Sequence, residues 1–175
     1  MTNMIPAWEN GNLTPIEKLE VHKRGLRHKA ISVFIISGSE TLIQKRALTK
    51  YHTPGLWANA CCTHPFWKEK PIDCAQRRIS EELGIHTKLN LIYRDQIEYR
   101  AEVGNGLIEH ELVDIFTLNI GQKNEIEIHL NLSEVIKTRW VEFDILVEEI
   151  EKNATLFTPW LRIYLKDHAD QILNK

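Results

Sequence analysis

The chain alternates between runs that ask for a sheet and runs that ask for a helix. KAISVFIIS, residues 29–37, is an almost uninterrupted β-branched and aromatic stretch of strand length, the pattern of a strand buried on both faces. A Ser-Gly-Ser turn follows, and TLIQKR (41–46) reads as its hairpin partner. The period then changes. PIDCAQRRISEELGI (71–85) carries Ile72, Ala75, Ile79 and Leu83 at helical spacing, with Pro71 and Asp73 at its start and Gly84 at its end. LNLIYRDQIEYRA, LIEHELVDIFTLNI and IKTRWVEF are three further extended segments, and DILVEEIEK and TPWLRIYLKDHADQIL close the chain as two helices. The residues before 29 form a polar segment with no assigned element. The pattern predicts an α+β fold, a mixed sheet covered on both faces by helices.

Bulk properties narrow the picture. At 175 residues the chain suits one domain, and no repeat, low-complexity tract or linker divides it, so residues 1–175 are taken as a single unit with its core at about 18–160. A hydrophobic content of 43% and a formal charge of −2 give no electrostatic reason to expect nucleic acid or an anionic membrane as partner. Met1 to Asn12 lacks the pattern of a secretion signal and no stretch approaches a membrane span; the expected location is the cytoplasm. Three cysteines, two of them adjacent, do not make a disulfide framework there, and structural zinc asks for more thiols at CxxC spacing.

Candidate chemistry begins with NACCTHP, residues 59–65. In an extended chain Cys62 and His64 point to one side and Cys61 to the other, which makes Cys61 packing and leaves Cys62 two reinterpretations: a small buried hydrophobe, or a reactive thiol whose pKa a nearby metal or imidazolium lowers. Glu109 and Glu111 share a face of their strand by the same alternation. His22, His28, His64, Glu109 and Glu111 together would suit a divalent ion such as Mn²⁺, Fe²⁺ or Zn²⁺, with an octahedral ion fitting five protein ligands better than tetrahedral zinc does. Against this, His22 and His28 flank the basic run HKRGLRHK, where solvated surface histidines are the commoner outcome.

The helix at 71–85 adds a second signal. Glu69, Arg77, Glu81, Glu82, Gly84 and Ile85 hold the spacing of a Nudix box, in which a loop and helix present carboxylates to a diphosphate-bound metal. Thr63 stands where the box has its first glycine, and Arg78 where it has a metal-binding glutamate. A cation in place of a carboxylate removes a ligand and supplies a phosphate partner. Lys18, Arg46 and Lys50 can complete an anion site with Arg78, although each alone reads as surface charge. Trp160, in FTPW, is either core packing or an aromatic face for a cationic intermediate.

Taken in order, QKRALTKYHTPGLWANACCTHP, RRISEELGI, YRAEVGNGLIEHELVDIF and FTPW resemble the type I isopentenyl-diphosphate isomerases of the Nudix superfamily, over about Lys18 to Trp160. The resemblance implies a Nudix-like sheet between helices. It implies one divalent metal (Mn²⁺, Mg²⁺ or Zn²⁺) on His22, His28, His64, Glu109 and Glu111, and a second Mg²⁺ held through Glu82 on the substrate diphosphate. It further implies Cys62 and Glu111 as the acid/base pair with Tyr99 beside them, Trp160 against the hydrocarbon, Lys18, Arg46, Lys50 and Arg78 on the diphosphate, and no redox cofactor. An unactivated alkene is a poor base, so the reaction needs a strong acid at the terminal carbon and a base at C2; Glu111 with Tyr99 is the expected donor and Cys62 the acceptor. Trp57, Phe66 and Trp160 are expected to close the site against water. Two rivals stay open. A Nudix hydrolase would use Glu81, Glu82 and Mg²⁺ to activate water, and a zinc-binding or nucleotide-sensing module would tolerate loss of the Cys62 thiol.

Overall fold

The computed structural model describes residues 3–173; the outermost residues of the expected 1–175 unit lie outside them. Nine strands among the described residues join one sheet: β1 (Met4–Glu9), β2 (Asn12–Glu17), β3 (His28–Ser37), β4 (Glu40–Arg46), β5 (Trp57–Asn59), β6 (Cys61–Thr63), β7 (Ile92–Glu102), β8 (Ile108–Asn119) and β9 (Val135–Glu142). The helices are α1 (Lys18–Arg24), α2 (Pro71–Leu83), α3 (Phe143–Lys152), α4 (Pro159–Asp167) and α5 (Ala169–Leu173). β3 is the central strand. It runs parallel to β8 from His28 opposite Glu111 to Ile36 opposite Asn119, and antiparallel to β1, β4 and β6, so the sheet is mixed.

Period two explains how the continuous apolar run of β3 is used. Ala30 and Phe34, with Ile36 packed beside them, face a core shared with Leu146 of α3, Trp160, Leu161 and Tyr164 of α4 and Ile172 of α5. Ile31, Val33 and Ile35 face the opposite core, filled by Cys74, Ala75, Ile79 and Leu83 of α2. The fold is therefore α+β, with helices on both faces as the pattern predicts.

α2 begins with Pro71 and an acidic first turn and ends at Gly84, whose φ of 66° is left-handed. A Cβ there would lie 2.2 Å from the carbonyl oxygen of His129, because residues 129–131 cap the helix: His129 N–H donates to Leu83 O and Asn131 N–H to Glu82 O. That cap leads straight into Ser133 and Glu134 at the rim of the site cleft.

The structure departs from the sequence pattern at three places. The polar N-terminal segment is a β-hairpin followed by α1. Its turn is Asn10-Gly11, both with positive φ, the strongest short hairpin signal; Pro6 opposite Pro15 hides the strands from a propensity reading, and an edge hairpin tolerates them. Ile72 is 39% exposed, since it sits in the first turn of α2, ahead of the stripe that reaches the sheet. The last helix breaks at His168, whose N–H closes α4 on Tyr164 O before α5 begins. No helix among the described residues is long and apolar enough to cross a membrane.

Candidate active site and metal centre

Strand register assembles the site. Tyr99 on β7 pairs with Glu111 on β8, and Glu111 pairs with His28 on β3, so three strands set these side chains in one row. Glu109 lies two residues from Glu111 and Ser32 four from His28, on the same face. Ser32 is opposite Cys62 of β6. Asn59 fixes that short strand by donating to Ser32 Oγ, Val33 O and Cys61 O at 2.8–3.0 Å. Cys61 accordingly points into the α2 core, while Cys62 and His64 reach one cavity. α1 contributes His22 from the side.

His22, His28 and Glu109 are buried, His22 and His28 completely, and His64 is 7% exposed. One ligand atom from each of His22, His28, His64 and Glu109 lies within 4.8 Å of all the others. Backbone carbonyls turn two of the rings: Lys18 O is 2.5 Å from His22 Nδ1 and Leu26 O is 2.7 Å from His28 Nδ1, so both Nε2 atoms face inward, as outer-sphere partners orient ligating imidazoles. Glu109 Oε2 is 3.1 Å from His22 Nε2 and 3.3 Å from His28 Nε2. Yet Glu109 Oε2 and His22 Nε2 make no hydrogen bond of acceptable geometry. His28 Nε2 and His64 Nε2 approach to 3.1 Å, which two ring nitrogens tolerate only with a proton or a cation between them. Orphaned buried polar atoms converging on one point, all of them nitrogen or carboxylate oxygen, fit a divalent cation.

Of the remaining two expected ligands, Glu111 stands at the edge of this group, with Oε1 2.9 Å from His64 Nε2 and 3.7 Å from His28 Nε2. Its Oε2 accepts the Tyr99 hydroxyl at 2.7 Å. Glu82 stands apart from the cluster. It lines the same cavity from α2, but its carboxylate takes Arg78 at 2.6 Å and Gln44 at 3.0 Å.

Burial and neighbours divide the titrations. Burial raises Glu109, but the close imidazoles of His22, His28 and His64 overcome it and hold the carboxyl well below the usual range. Burial and the charge of Glu109 push Glu111 up to about 7. Burial holds His64 well below an ordinary imidazole. In the chain alone, therefore, Cys62 does not acquire the lowered pKa expected from a neighbouring imidazolium: burial first, and the charge of Glu111 next, raise it well above the usual thiol value, with the Ser32 hydroxyl pulling the other way.

Cys62, His64, Glu109 and Glu111 line a small cavity of about 40 Å³. It opens into a cleft of about 790 Å³, which shares Lys18, Lys50, His64 and Arg78 with it. Trp160 is 2% exposed and lines the cavity. Its two expected companions do not. Phe66 is 45% exposed on the wall of the outer cleft, its ring under the Arg77 guanidinium at 4.1 Å. Trp57 sits on β5 between Arg139 and Lys45, because its neighbour Ala58 takes the inward position.

The four basic residues all line the cavity, and three arrive with partners. Arg78 pairs with Glu81, Glu82 and Glu134, and Lys50 also pairs with Glu134. Arg46 donates to the carbonyls of His52 and Thr53 at 3.2 Å each, its guanidinium 5.2 Å from the Trp160 ring centre. Lys18 has no carboxylate partner among the described residues. Burial lowers its pKa, Glu109 opposes that, and Arg78, Lys50 and Arg46 add to it. The rest of the box is structural: Glu69 receives Phe66 N–H at 2.8 Å and Arg77 twice at 2.7 Å, bracing the loop ahead of α2, and Arg77 also reaches Glu81.

His52 belongs to the site although no periodicity singles it out. Its Nε2 is 3.2 Å from Glu109 Oε1, and burial, with Glu109 opposing, lowers it to about 3, so the ring is neutral. The signal was its place in KYHTPG, a loop too short of apolar residues to bury a histidine for packing. Tyr164 is likewise buried beside Cys62, Ser32 and Tyr99.

A family model described as NUDIX domain matches residues 26–161. A protein of Cereibacter sphaeroides (strain ATCC 17025 / ATH 2.4.3) named Isopentenyl-diphosphate Delta-isomerase is 57% identical over 100% of this chain and 97% of its own length. One of the same name from Dinoroseobacter shibae is 55% identical, covering 99% and 97%. Among solved structures, a Deinococcus radiodurans protein superposes with a TM-score of 0.71 at 11% identity, over 93% of this chain and 96% of its own. The Nudix hydrolase RenU of M. Smegmatis superposes with 0.60 at 16% identity, over 98% and 94%. These last two likenesses concern the fold.

Proposed function

The chain belongs to the Nudix family and, within it, to the isopentenyl-diphosphate Delta-isomerases, and we propose that residues 1–175 act as one domain interconverting isopentenyl and dimethylallyl diphosphate by proton addition and removal. The observation that carries the chemistry is the meeting of Cys62, Glu111 and Trp160 in one small cavity beside the histidine–glutamate cluster.

His22, His28, His64, Glu109 and, at the edge, Glu111 are the residues that would hold a divalent Mn²⁺, Mg²⁺ or Zn²⁺, which when bound supplies fixed positive charge beside the Glu111 carboxyl. Glu111 is the acid in the forward direction. In the chain alone, burial and the charge of Glu109 favour the protonated form of Glu111, and Tyr99 orients it from β7. Glu111 gives its proton to the terminal alkene carbon, leaving a tertiary carbocation, and Cys62 as thiolate takes the proton from C2 as the new double bond forms. The two groups are linked: a charged Glu111 helps keep Cys62 protonated, and protonating Glu111 relieves that. The pair thus offers one acid and one base in either direction.

Trp160 presents a π face to the cation, worth on the order of 0.5–2 kcal/mol, so placement and electrostatics must supply most of the rate. Its burial also excludes water, which would trap the cation as an alcohol. Lys18, Arg46, Lys50 and Arg78 are assigned to the diphosphate, and Glu82 to a second Mg²⁺ arriving with it, in exchange for part of its Arg78 contact. No nucleic acid, membrane or redox cofactor enters this reading, and the three free cysteines suit a reducing cytoplasm.

The test is to incubate the protein with isopentenyl diphosphate, Mg²⁺ and Mn²⁺ in ²H₂O and follow the products by NMR. Deuterium in the new methyl group of dimethylallyl diphosphate without phosphate release is the expected result. Phosphate release without exchange would replace this reading with hydrolysis.

A further inference from the structure

The geometry points to His52 as a positioning residue for Glu109: its ring Nε2–H holds Oε1 of that carboxylate so that Oε2 is presented to His22, His28 and His64. This rests on the metal reading above and extends it to a residue outside the ligand set.

The two oxygens of Glu109 are used differently. Oε2 lies 3.1, 3.3 and 3.7 Å from the Nε2 atoms of His22, His28 and His64. Oε1 is turned to His52 Nε2 at 3.2 Å. A carboxylate only accepts, so the donor in this close approach is assigned to His52 Nε2–H, which leaves Nδ1 to accept. It does so from Thr53 Oγ1 at 3.1 Å. With that assignment, the order Thr53 O–H, His52 Nδ1, His52 Nε2–H, Glu109 Oε1 sets both the tautomer and the direction of the carboxylate.

The backbone around His52 is shaped for this. Thr53 has φ 45°, a conformation that a β-branched residue adopts only under constraint. Arg46 restrains this turn by donating to the carbonyls of both His52 and Thr53, and Trp160 meets the His52 ring edge-on at 6.0 Å. Arg46 therefore acts on the metal cluster through the loop it holds, in addition to facing the cavity.

The experiment strips the full chain of metal and titrates it with Mn²⁺, reading free ion by its EPR signal, for wild type, His52→Leu, His52→Gln and Thr53→Val. Gln keeps a donor near the Nε2 position; Leu keeps bulk without one. We expect His52→Leu to raise the Kd for Mn²⁺ by about 10- to 100-fold, His52→Gln to stay within about threefold of wild type, and Thr53→Val to fall between them. At saturating Mn²⁺ the isomerase rate of His52→Leu should recover largely through kcat, with KM for the diphosphate little moved. A His52→Leu Kd within about threefold of wild type overturns the proposal, as does a folded His52→Gln as weak as His52→Leu. If His52→Leu does not fold, Thr53→Val decides, and an unchanged Kd there overturns the role. Wild type that binds Mn²⁺ without isomerising would remove the isomerase reading while leaving the His52 comparison intact; wild type that binds no Mn²⁺ removes both.

Discussion

Tyr99 and Glu111 face each other across β7 and β8, and the phenol donates to Glu111 Oε2 at 2.7 Å. This cross-strand bond leaves only Oε1 to turn toward His64 and His28. Tyr99→Phe deletes one buried hydrogen bond to a carboxylate, of the class worth about 1.5–3 kcal/mol, while keeping the ring packed against Tyr164. If that bond orients the acid, kcat falls by about 10- to 100-fold with KM little changed, by steady-state rates. An unchanged kcat would show that His64 alone is enough to hold Glu111.

Cys62→Ser tests the base. Serine fits the space and keeps a polar hydrogen, but a hydroxyl is far harder to deprotonate than a thiol. Turnover is expected to drop by about 10²–10⁴-fold, the range of general acid–base catalysis, with Mn²⁺ affinity and melting temperature near wild type. Cys61→Ser makes the contrast: Cys61 is fully buried in the α2 core, so its loss should lower stability more than rate.

Metal removal should be visible in stability before it is measured in turnover. Buried Glu109 and three imidazoles bind an ion only when the fold brings them together, so a metal at 100 times its Kd adds about 2.7 kcal/mol. Thermal melts with and without EDTA read this directly. Glu109→Gln should abolish most of the metal-dependent increment, and an increment that survives it would move the centre elsewhere.

Acid sensitivity has a separate source outside the cluster. Burial would raise Glu69, but Arg77 and the Phe66 N–H overcome it and hold its carboxyl below the ordinary range. A depressed folded pKa contributes stability that is fully present above the unfolded value, about 4.3, and is lost as pH falls through the folded value. Glu69→Gln should therefore cost about 1 kcal/mol near pH 6, allowing for solvent around the pair. The gap to wild type should narrow below about pH 4. Urea midpoints at the two pH values check both statements, and a gap independent of pH would assign the effect to packing.

The sequence by itself determined the alternating core of β3, the helix α2 with its Pro71 start and Gly84 stop, and the shared faces of Glu109 with Glu111 and of Cys62 with His64. Each of these is a local consequence of period two or period 3.6, and a residue's neighbours on the chain suffice to read it. The N-terminal hairpin was legible only through Asn10-Gly11, since edge strands carry few apolar residues. Tertiary structure alone decided the rest. That His22 and His28 are buried ligand candidates, and not solvated charges in HKRGLRHK, depends on α1 packing beside β8 and on the carbonyls of Lys18 and Leu26 turning the rings. The inclusion of His52, the exclusion of Trp57 and the prior engagement of Arg78 and Lys50 by Glu134 all depend on loops and strands distant in sequence. Periodicity states which way a side chain points from its own backbone. Which groups it meets, and hence its pKa, is set by long-range pairing and by burial.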